Sequence, residues 1–286
     1  DIATYPWFAG TALGNNLLAD GITSLDDVSL TFRRLYEFGD RGAGNTRSTF
    51  RVAGEYEYDI SADMYLKISG TYGVTDQEQT NFGDINLDRA RFALDLQDDG
   101  AGGYQCADDI ARINGCVVFN PFSLNGISPE AVEYLAADTN LVGTIEQTVL
   151  TGLLAGELDF ALNNNVDNIG FALGAEYREE KGKETPDPLR QAGIVRGQAI
   201  AKTQGSFDVV DVFAEVHVPV MEQLSLSAAV RVGDYSSVGS TTNWTLGFDA
   251  PISESFRLRG ALATAVRAPN VSDLFAGGTA TAALVV

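Results

Sequence analysis

The sequence contains little of what metal centres and catalytic sites usually need. Its 286 residues include one histidine, two cysteines and two methionines. A single histidine excludes a zinc centre built from several imidazoles, and it leaves one side chain for the base of a catalytic triad. No G-x-S-x-G nucleophile motif accompanies that residue, His217. We therefore expect that the protein is not an enzyme and binds no cofactor.

Long apolar runs and positive charge are also scarce. No run of about eighteen apolar residues occurs, so the sequence excludes a membrane-spanning helix. Lys and Arg total 19 against 39 Asp and Glu, which gives a formal net charge of −20. A nucleic-acid site needs a clustered positive surface, and the scattered basic residues do not form one. The acidic excess fits a solvated surface or the attraction of cationic or metal-bearing ligands.

Glycine and aromatic residues are abundant by contrast. Thirty Gly, ten Tyr and fifteen Phe suit strands joined by turns better than packed helices. Apolar and polar residues alternate with period two in many segments. This alternation predicts about nine strands, over residues 27–38, 47–60, 64–75, 143–160, 168–179, 207–218, 223–235, 241–250 and 255–267.

The predicted strands are long, and the connections between them differ in length. Strands of more than about ten residues exceed the usual length in soluble sheets and approach what crosses a bilayer. Short connections near residues 60–63 and 219–222 contrast with the long ones at 80–142 and 180–205. Short turns at one end and long loops at the other are typical of outer-membrane barrels. A soluble β-sandwich or lipocalin-like barrel remains an alternative.

The longest connection contains both cysteines. Cys106 and Cys116 are ten residues apart in a polar segment, which favours a disulfide in an oxidising compartment over free thiols. Nearby aspartates could hold calcium, but their spacing matches no EF-hand, so a solvated acidic loop is the better interpretation. Ser128 followed by Pro129 predicts the start of a short helix, and residues 85–96 could form another.

Charged residues recur on the polar faces of the later strands. In a barrel they would line the lumen, and we expect them to pair with one another or to contact a plug more than a substrate. These possible lumen-lining residues are Asp211, Glu215, Arg231, Asp249, Arg257 and Arg259.

Four motifs carry a resemblance to one family. Arg267-Ala268-Pro269-Asn270, followed by Leu274 and Phe275, resembles the RAPN-x-x-E/D-L-F segment of TonB-dependent outer-membrane receptors. Three further segments resemble other motifs of that family in the same order, and one of them has Val118 where the family has proline. They are Phe32–Gly39, Gly115–Phe122 with Gly126–Ala131, and Ala228–Arg231 with Asp234–Ser236.

The resemblance implies a fold, a location and partners. Receptors of this family are barrels of about 22 strands closed by a plug. They import a scarce ligand such as a siderophore, cobalamin or an oligosaccharide with energy relayed through TonB. The implied location is the cell outer membrane, and the implied partners are outer-membrane lipid, a small-molecule ligand and the TonB complex through an amino-terminal region.

The expected fold class is therefore all-β, an incomplete antiparallel transmembrane β-barrel with short loop helices. The chain begins without an initiator Met or a secretory signal pattern. We expect residues 1–286 to be part of a receptor barrel that lacks its plug and remaining strands, and not to insert alone as a pore. The alternatives are a soluble or surface β-protein that binds a ligand and a passive porin-like barrel.

Overall fold

The computed structural model describes residues 3–5, 8–10, 12–24, 35–121, 126–197 and 199–280. Its strands are β1 Gly42–Ser61, β2 Met64–Phe82, β3 Leu96–Asp98, β4 Tyr104–Cys106, β5 Thr139–Glu157, β6 Gly170–Pro186, β7 Ala199–Ile200, β8 Thr203–Met221, β9 Leu224–Tyr235, β10 Gly239–Ser253, β11 Phe256–Ala263 and β12 Thr279–Ala280. Its helices are α1 Ala12–Ala19, a 3-10 turn Tyr36–Phe38, α2 Leu87–Leu94, α3 Asp109–Ile113, α4 Pro129–Leu135, α5 Pro188–Gln191 and α6 Val271–Phe275.

Eight of the strands form one antiparallel sheet in the order β1-β2-β5-β6-β8-β9-β10-β11. Each strand therefore pairs with the long strands that precede and follow it in the chain. The sheet is not closed, because β1 and β11 each have only one partner among the described strands. The prediction of an all-β antiparallel fold with an incomplete barrel is confirmed.

Three hairpin turns at one end of the sheet share a geometry. The last paired residues are Ser61 with Met64, Met221 with Leu224, and Ser253 with Phe256, so two residues form each turn. In all three, the register shifts just before the turn, as a β-bulge does. The opposite end carries the long connections 83–138 and 187–202. We call these two ends the turn end and the loop end.

The sheet has one apolar face and one polar face. Residues paired across neighbouring strands share a face, so a row can be followed through the register. One row consists of Tyr58, Leu66, Leu154, Leu173, Ala214, Val230 and Trp244. The row one residue along lies on the other face and consists of Glu57, Lys67, Leu153, Gly174, Phe213, Arg231 and Asn243.

The apolar face forms a band with a polar border at the loop end. In β8 the band extends from Val210 to Val218, which is about 26 Å along a strand. Asp208 lies beyond Val210 on the same face. Glu179, which pairs with Asp208, lies beyond Tyr177 in β6. Asp234, which pairs with Val210, lies beyond Val232 in β9, so both carboxylates mark the same border. Many of the band's large apolar side chains are exposed in this chain.

The strand predictions from 47 to 267 are confirmed, and most strands extend further than the alternation indicated. The last one is an exception, because β11 ends at Ala263 and not at residue 267. In the predicted strand 27–38, residues 27–34 lie outside the described residues. The strand prediction is wrong for Tyr36–Phe38, which form a 3-10 turn. Leu35 and Phe38 both pack against the small hydrophobic core at the loop end. Residues three apart can lie on the same side of a turn, whereas in a strand they lie on opposite faces.

The loop end has its own small hydrophobic core, formed by Ala93, Phe119, Ile127, Ala131 and Leu135. Both predicted helices contribute to it. The Ser128 hydroxyl caps α4 by accepting from the N–H of Ala131, and the Asn86 side chain caps α2. Within the residues that the structure describes, no helix is both long enough and apolar enough to cross a membrane.

Candidate functional site

A group of three charged side chains lies on the polar face of the sheet. Arg231 in β9 donates from Nη2 to Asp211 in β8 at 2.6 Å and to Glu176 in β6 at 3.0 Å. Asp211 is 2% exposed. A carboxylate so deeply buried requires a charged partner, and Arg231 supplies it.

The sheet register explains why these three residues meet. Phe213 pairs with Arg231, and Asp211 pairs with Gly233, so Arg231 lies diagonally across from Asp211. A Cβ atom at position 233 would be 2.3 Å from Asp211 Oδ1. Glycine at this position therefore leaves the space that the Asp211 carboxylate fills.

A second charged group lies on the same face near the turn end. Arg257 donates from Nε to Asp249 Oδ1 at 2.6 Å and makes a further contact with Asp249 Oδ2. Arg259 pairs with Asp249 in the register. Glu215 lies on this face in β8, opposite Ala229. The structure thus places all six residues of the predicted lumen-lining set on the polar face, in two groups with Glu215 between them.

The Arg267–Phe275 segment folds into a capped helix. Asn270 and Asp273 form a capping box at the start of α6, since each side chain accepts from the other residue's backbone N–H. Arg267 forms an ion pair with Asp273 at 3.1 Å. Ala268 and Pro269 connect Arg267 to the N-cap residue Asn270, and Leu274 lies within α6.

The helix α6 packs on β6 and β8 at two adjacent glycines. Gly182 and Gly205 are paired in the register and lie on the polar face. A Cβ at Gly182 would lie 2.7 Å from Val271, and a Cβ at Gly205 would lie 2.1 Å from the Phe275 ring. The two glycines therefore form a depression in the sheet that receives Val271 and Phe275. The sequence motif alone did not predict this helix or its position.

A cleft of about 450 Å³ opens beside α6 on the polar face, near the loop end. One wall is apolar, formed by Leu141 and Ile145 among others. Arg47 donates to the Gln77 side chain at 2.6 Å on another side, and the lining also includes Glu180 and Glu184. The full lining is Arg47, Thr75, Gln77, Leu141, Gly143, Thr144, Ile145, Glu180, Gly182, Lys183, Glu184, Thr203, Asn270, Val271 and Ser272.

This cleft combines an apolar wall with hydrogen-bonding and charged groups of both signs, as small-molecule sites commonly do. Sequence reasoning missed it because its residues extend from position 47 to position 272. Only the sheet register and the return of α6 onto the sheet bring them together. The sequence signal for the cleft was that most of its strand residues occupy polar-face positions in the alternation. This signal does not identify which residues on distant strands lie together.

The long connections at the loop end are fastened to each other. Leu87 N–H donates to Ile194 O at 2.7 Å, and Asn86 forms a bridge with Val195. The structure contains a disulfide between Cys106 and Cys116, whose Cα atoms are 6.3 Å apart. The contacts of Asn86 and Leu87 join the connections 83–138 and 187–202, and the disulfide closes a shorter loop within the first of them.

The acidic loop before the disulfide is organised by backbone contacts. Asp99 accepts from the N–H groups of Ala101 and Gly103 at 2.8 and 2.9 Å. These hydrogen bonds favour the charged carboxylate and lower the pKa of Asp99. In the part of the chain that the structure describes, no group of three or more His, Cys, Asp or Glu side chains could hold a metal ion.

Residues 2–284 match the family described as "TonB dependent receptor-like, beta-barrel". Among curated proteins, none matches the chain. Three similar solved structures are the siderophore receptor PirA from Pseudomonas aeruginosa (12% identity, TM-score 0.38), the RagAB peptide importer in the "open-open" state (12%, 0.48) and the ferric enterobactin receptor PfeA in complex with BCV-L6 (12%, 0.37). They cover 78%, 79% and 81% of this chain, which spans 34%, 23% and 45% of theirs.

Proposed function

Because the chain belongs to the TonB-dependent receptor-like β-barrel family, we propose that it forms part of the barrel wall of a transporter that imports a scarce ligand with energy relayed through TonB. The family consists of transport receptors of the outer membrane and not of enzymes. For this chain, the expected ligands are a siderophore, cobalamin or an oligosaccharide.

The observation that carries the proposal is the division of one sheet into an apolar face and a charged face. A soluble sheet that exposed such a band would be prone to association. In a bilayer the same band contacts lipid tails, and its aromatic residue Tyr177 lies where the band meets the polar border at Glu179. The charged face is then the lumen side.

The two edges of the sheet support a larger barrel. In the described residues β1 and β11 lack a second neighbour, and unpaired backbone groups are costly in the hydrocarbon region. Strands outside residues 1–286 complete the barrel in our proposal, and a plug fills its lumen. The plug contacts the charged groups around Asp211 and Asp249, and the TonB complex binds an amino-terminal region.

The cleft beside α6 lies on the lumen side near the loop end, where an incoming ligand first meets the wall. We propose that Arg47 contacts this ligand. Arg51 provides a matched control, because it lies on the same face of the same strand and outside the cleft.

Uptake by the complete receptor tests the proposal. Cells that depend on the receptor would be supplied with labelled ferric siderophores, cobalamin or oligosaccharides, with and without TonB. We expect uptake of one class to require TonB. Arg47→Ala should raise the half-saturating concentration by about 10-fold or more, as loss of a charged hydrogen bond predicts, while Arg51→Ala leaves it unchanged.

Two results would contradict the proposal. Uptake that continues without TonB would favour the passive porin-like barrel. Recovery of the receptor in the soluble fraction, with no outer-membrane form, would favour the soluble β-protein. Equal effects of Arg47→Ala and Arg51→Ala would remove the ligand contact at the cleft but would leave TonB-dependent transport in place.

A further inference from the structure

The segment Cys106–Cys116 forms a rigid projection at the loop end, which we call the knob. Its disulfide brackets α3. The Asp108 carboxylate caps the helix by accepting from Ala111 N–H at 2.7 Å. Arg112 Nη1 donates to the carbonyl oxygens of Cys106 and Ala107 at 2.5 and 2.9 Å. The disulfide therefore joins the two ends of the knob, and the hydrogen bonds of Asp108 and Arg112 hold the backbone between them.

The knob exposes two isoleucines. Ile110 is 70% exposed and Ile113 is 84% exposed, whereas Ala111 between them is buried. Residues three apart in a helix lie on the same side, so the two isoleucines form one apolar patch. Exposed isoleucines on a flexible tip would need no explanation. Here the segment is held by a disulfide and by the hydrogen bonds of Arg112, so the two isoleucines form a preorganised contact surface.

The segment that carries this patch is acidic. Residues 95–116 contain one arginine and five aspartates, which are Asp95, Asp98, Asp99, Asp108 and Asp109. The arginine is already engaged with backbone carbonyls and with Asp109. Asp98 and Asp99 belong to the β3–β4 hairpin, and α3 packs against β4 of that hairpin. The knob and the adjoining β3–β4 hairpin thus offer an apolar contact together with negative charge.

We propose that the knob docks a cationic amphipathic peptide segment of an extracellular partner. The apolar side chains of this segment cover Ile110 and Ile113, and its lysines or arginines face the aspartates. An anionic lipid surface has apolar contacts to offer but would be repelled by the same carboxylates. The inference depends on the proposed function only in placing the loop end outside the cell.

The test uses the complete receptor in nanodiscs of neutral phosphatidylcholine and a labelled Leu/Lys amphipathic peptide, with fluorescence anisotropy as the measurement. We expect saturable binding that weakens as salt increases. A Leu/Glu peptide of the same pattern and a Ser/Lys peptide should not bind. Ile110→Ser with Ile113→Ser should weaken binding at least about tenfold, because the apolar contact of both side chains is lost.

Two further variants separate the contributions. Asp109→Asn keeps the side-chain shape and removes one charge, so binding should weaken about 2- to 5-fold, with a smaller salt dependence. Tyr36→Ser changes another exposed apolar side chain at the loop end, 71% exposed, and should leave binding unchanged. Disulfide formation in each variant, measured by mass spectrometry, verifies that the knob has formed.

Several outcomes would overturn the inference. They are equal binding of the Leu/Lys and Leu/Glu peptides, equal binding to empty nanodiscs, and no loss in the isoleucine variant while its disulfide is intact. TonB-dependent uptake is measured separately in cells. A receptor that transports normally and does not bind the peptide would refute only the docking role of the knob.

Discussion

At the scale of single residues, the Glu176–Arg231–Asp211 group links three neighbouring strands on the polar face. Arg231 forms ion pairs with carboxylates on two different strands, and its Cζ lies 5.9 Å from the centroid of the Phe213 ring. Removing one member of a buried ion group costs more than the group contributes, because the remaining charge loses its partner. The group therefore fixes how β6, β8 and β9 align on this face.

Arg231→Met should destabilise the complete receptor by about 3 kcal/mol, because Asp211 stays buried without a cation. Adding Asp211→Leu to this variant should recover most of the loss, since the buried charge is then absent. Urea unfolding of the receptor in detergent, followed by heat-modifiable migration, measures both changes. Arg259→Met is the control, as Arg259 belongs to the other group. If the double variant is as unstable as Arg231→Met, the buried charge is not the cause.

Sequence reasoning identified part of this group and missed Glu176. The alternation in β6 already placed Glu176 on the polar side, between Ala175 and Tyr177. Its partner is 55 residues away, and nothing local specifies which strand lies beside which or in what register. The same limit applies to the cleft, whose Arg47 and Asn270 belong to opposite ends of the chain.

At the scale of elements, α6 connects a recognisable sequence motif to a physical role. Asn270 and Asp273 start the helix, Arg267 neutralises Asp273, and Phe275 enters the depression at Gly205. The motif identified the family from sequence, but its helix could not be predicted. A five-residue helix has little stability of its own, and its packing surface is formed by glycines distant in the sequence.

Gly205→Val should displace α6, because the new side chain occupies the position of the Phe275 ring. We expect a loss of about 1–3 kcal/mol in the free energy of unfolding, together with faster proteolysis after β11. Phe275→Ala in the same background should restore part of the loss by making space. Gly152→Val, on the apolar face of β5, is the control for adding a valine to a strand, since no atom lies within 4 Å of a Cβ there. Equal damage from both valines would mean that strand glycines, and not α6, limit stability.

At the scale of the whole molecule, the two faces of the sheet determine where the chain can reside. Period-two alternation was sufficient to predict the long strands, because one face meets lipid in our proposal and carries a strong apolar signal. The loop end was less predictable. Its core forms between α2, α4 and segments far apart in sequence, and Leu35 and Phe38 join that core where a strand was predicted.

Val212→Arg should place a charge in the middle of the apolar band. The expected cost is about 2–4 kcal/mol if that band contacts the bilayer centre. Ser206→Arg lies on the same face of the same strand beyond the polar border, and it should cost little. The fraction of receptor that reaches the outer membrane in the folded, heat-modifiable form measures the difference. Equal yields of both variants would contradict a lipid-facing band.

The three bulged hairpin turns have a consequence for how the barrel is assembled. Every long strand pairs with its chain neighbours, so the sheet can grow one hairpin at a time with short loop closures at the turn end. Each turn also carries its own register shift, so an error in one hairpin need not propagate to the next. A hairpin is therefore the unit by which strands can be added to this sheet or removed from it without breaking its antiparallel order.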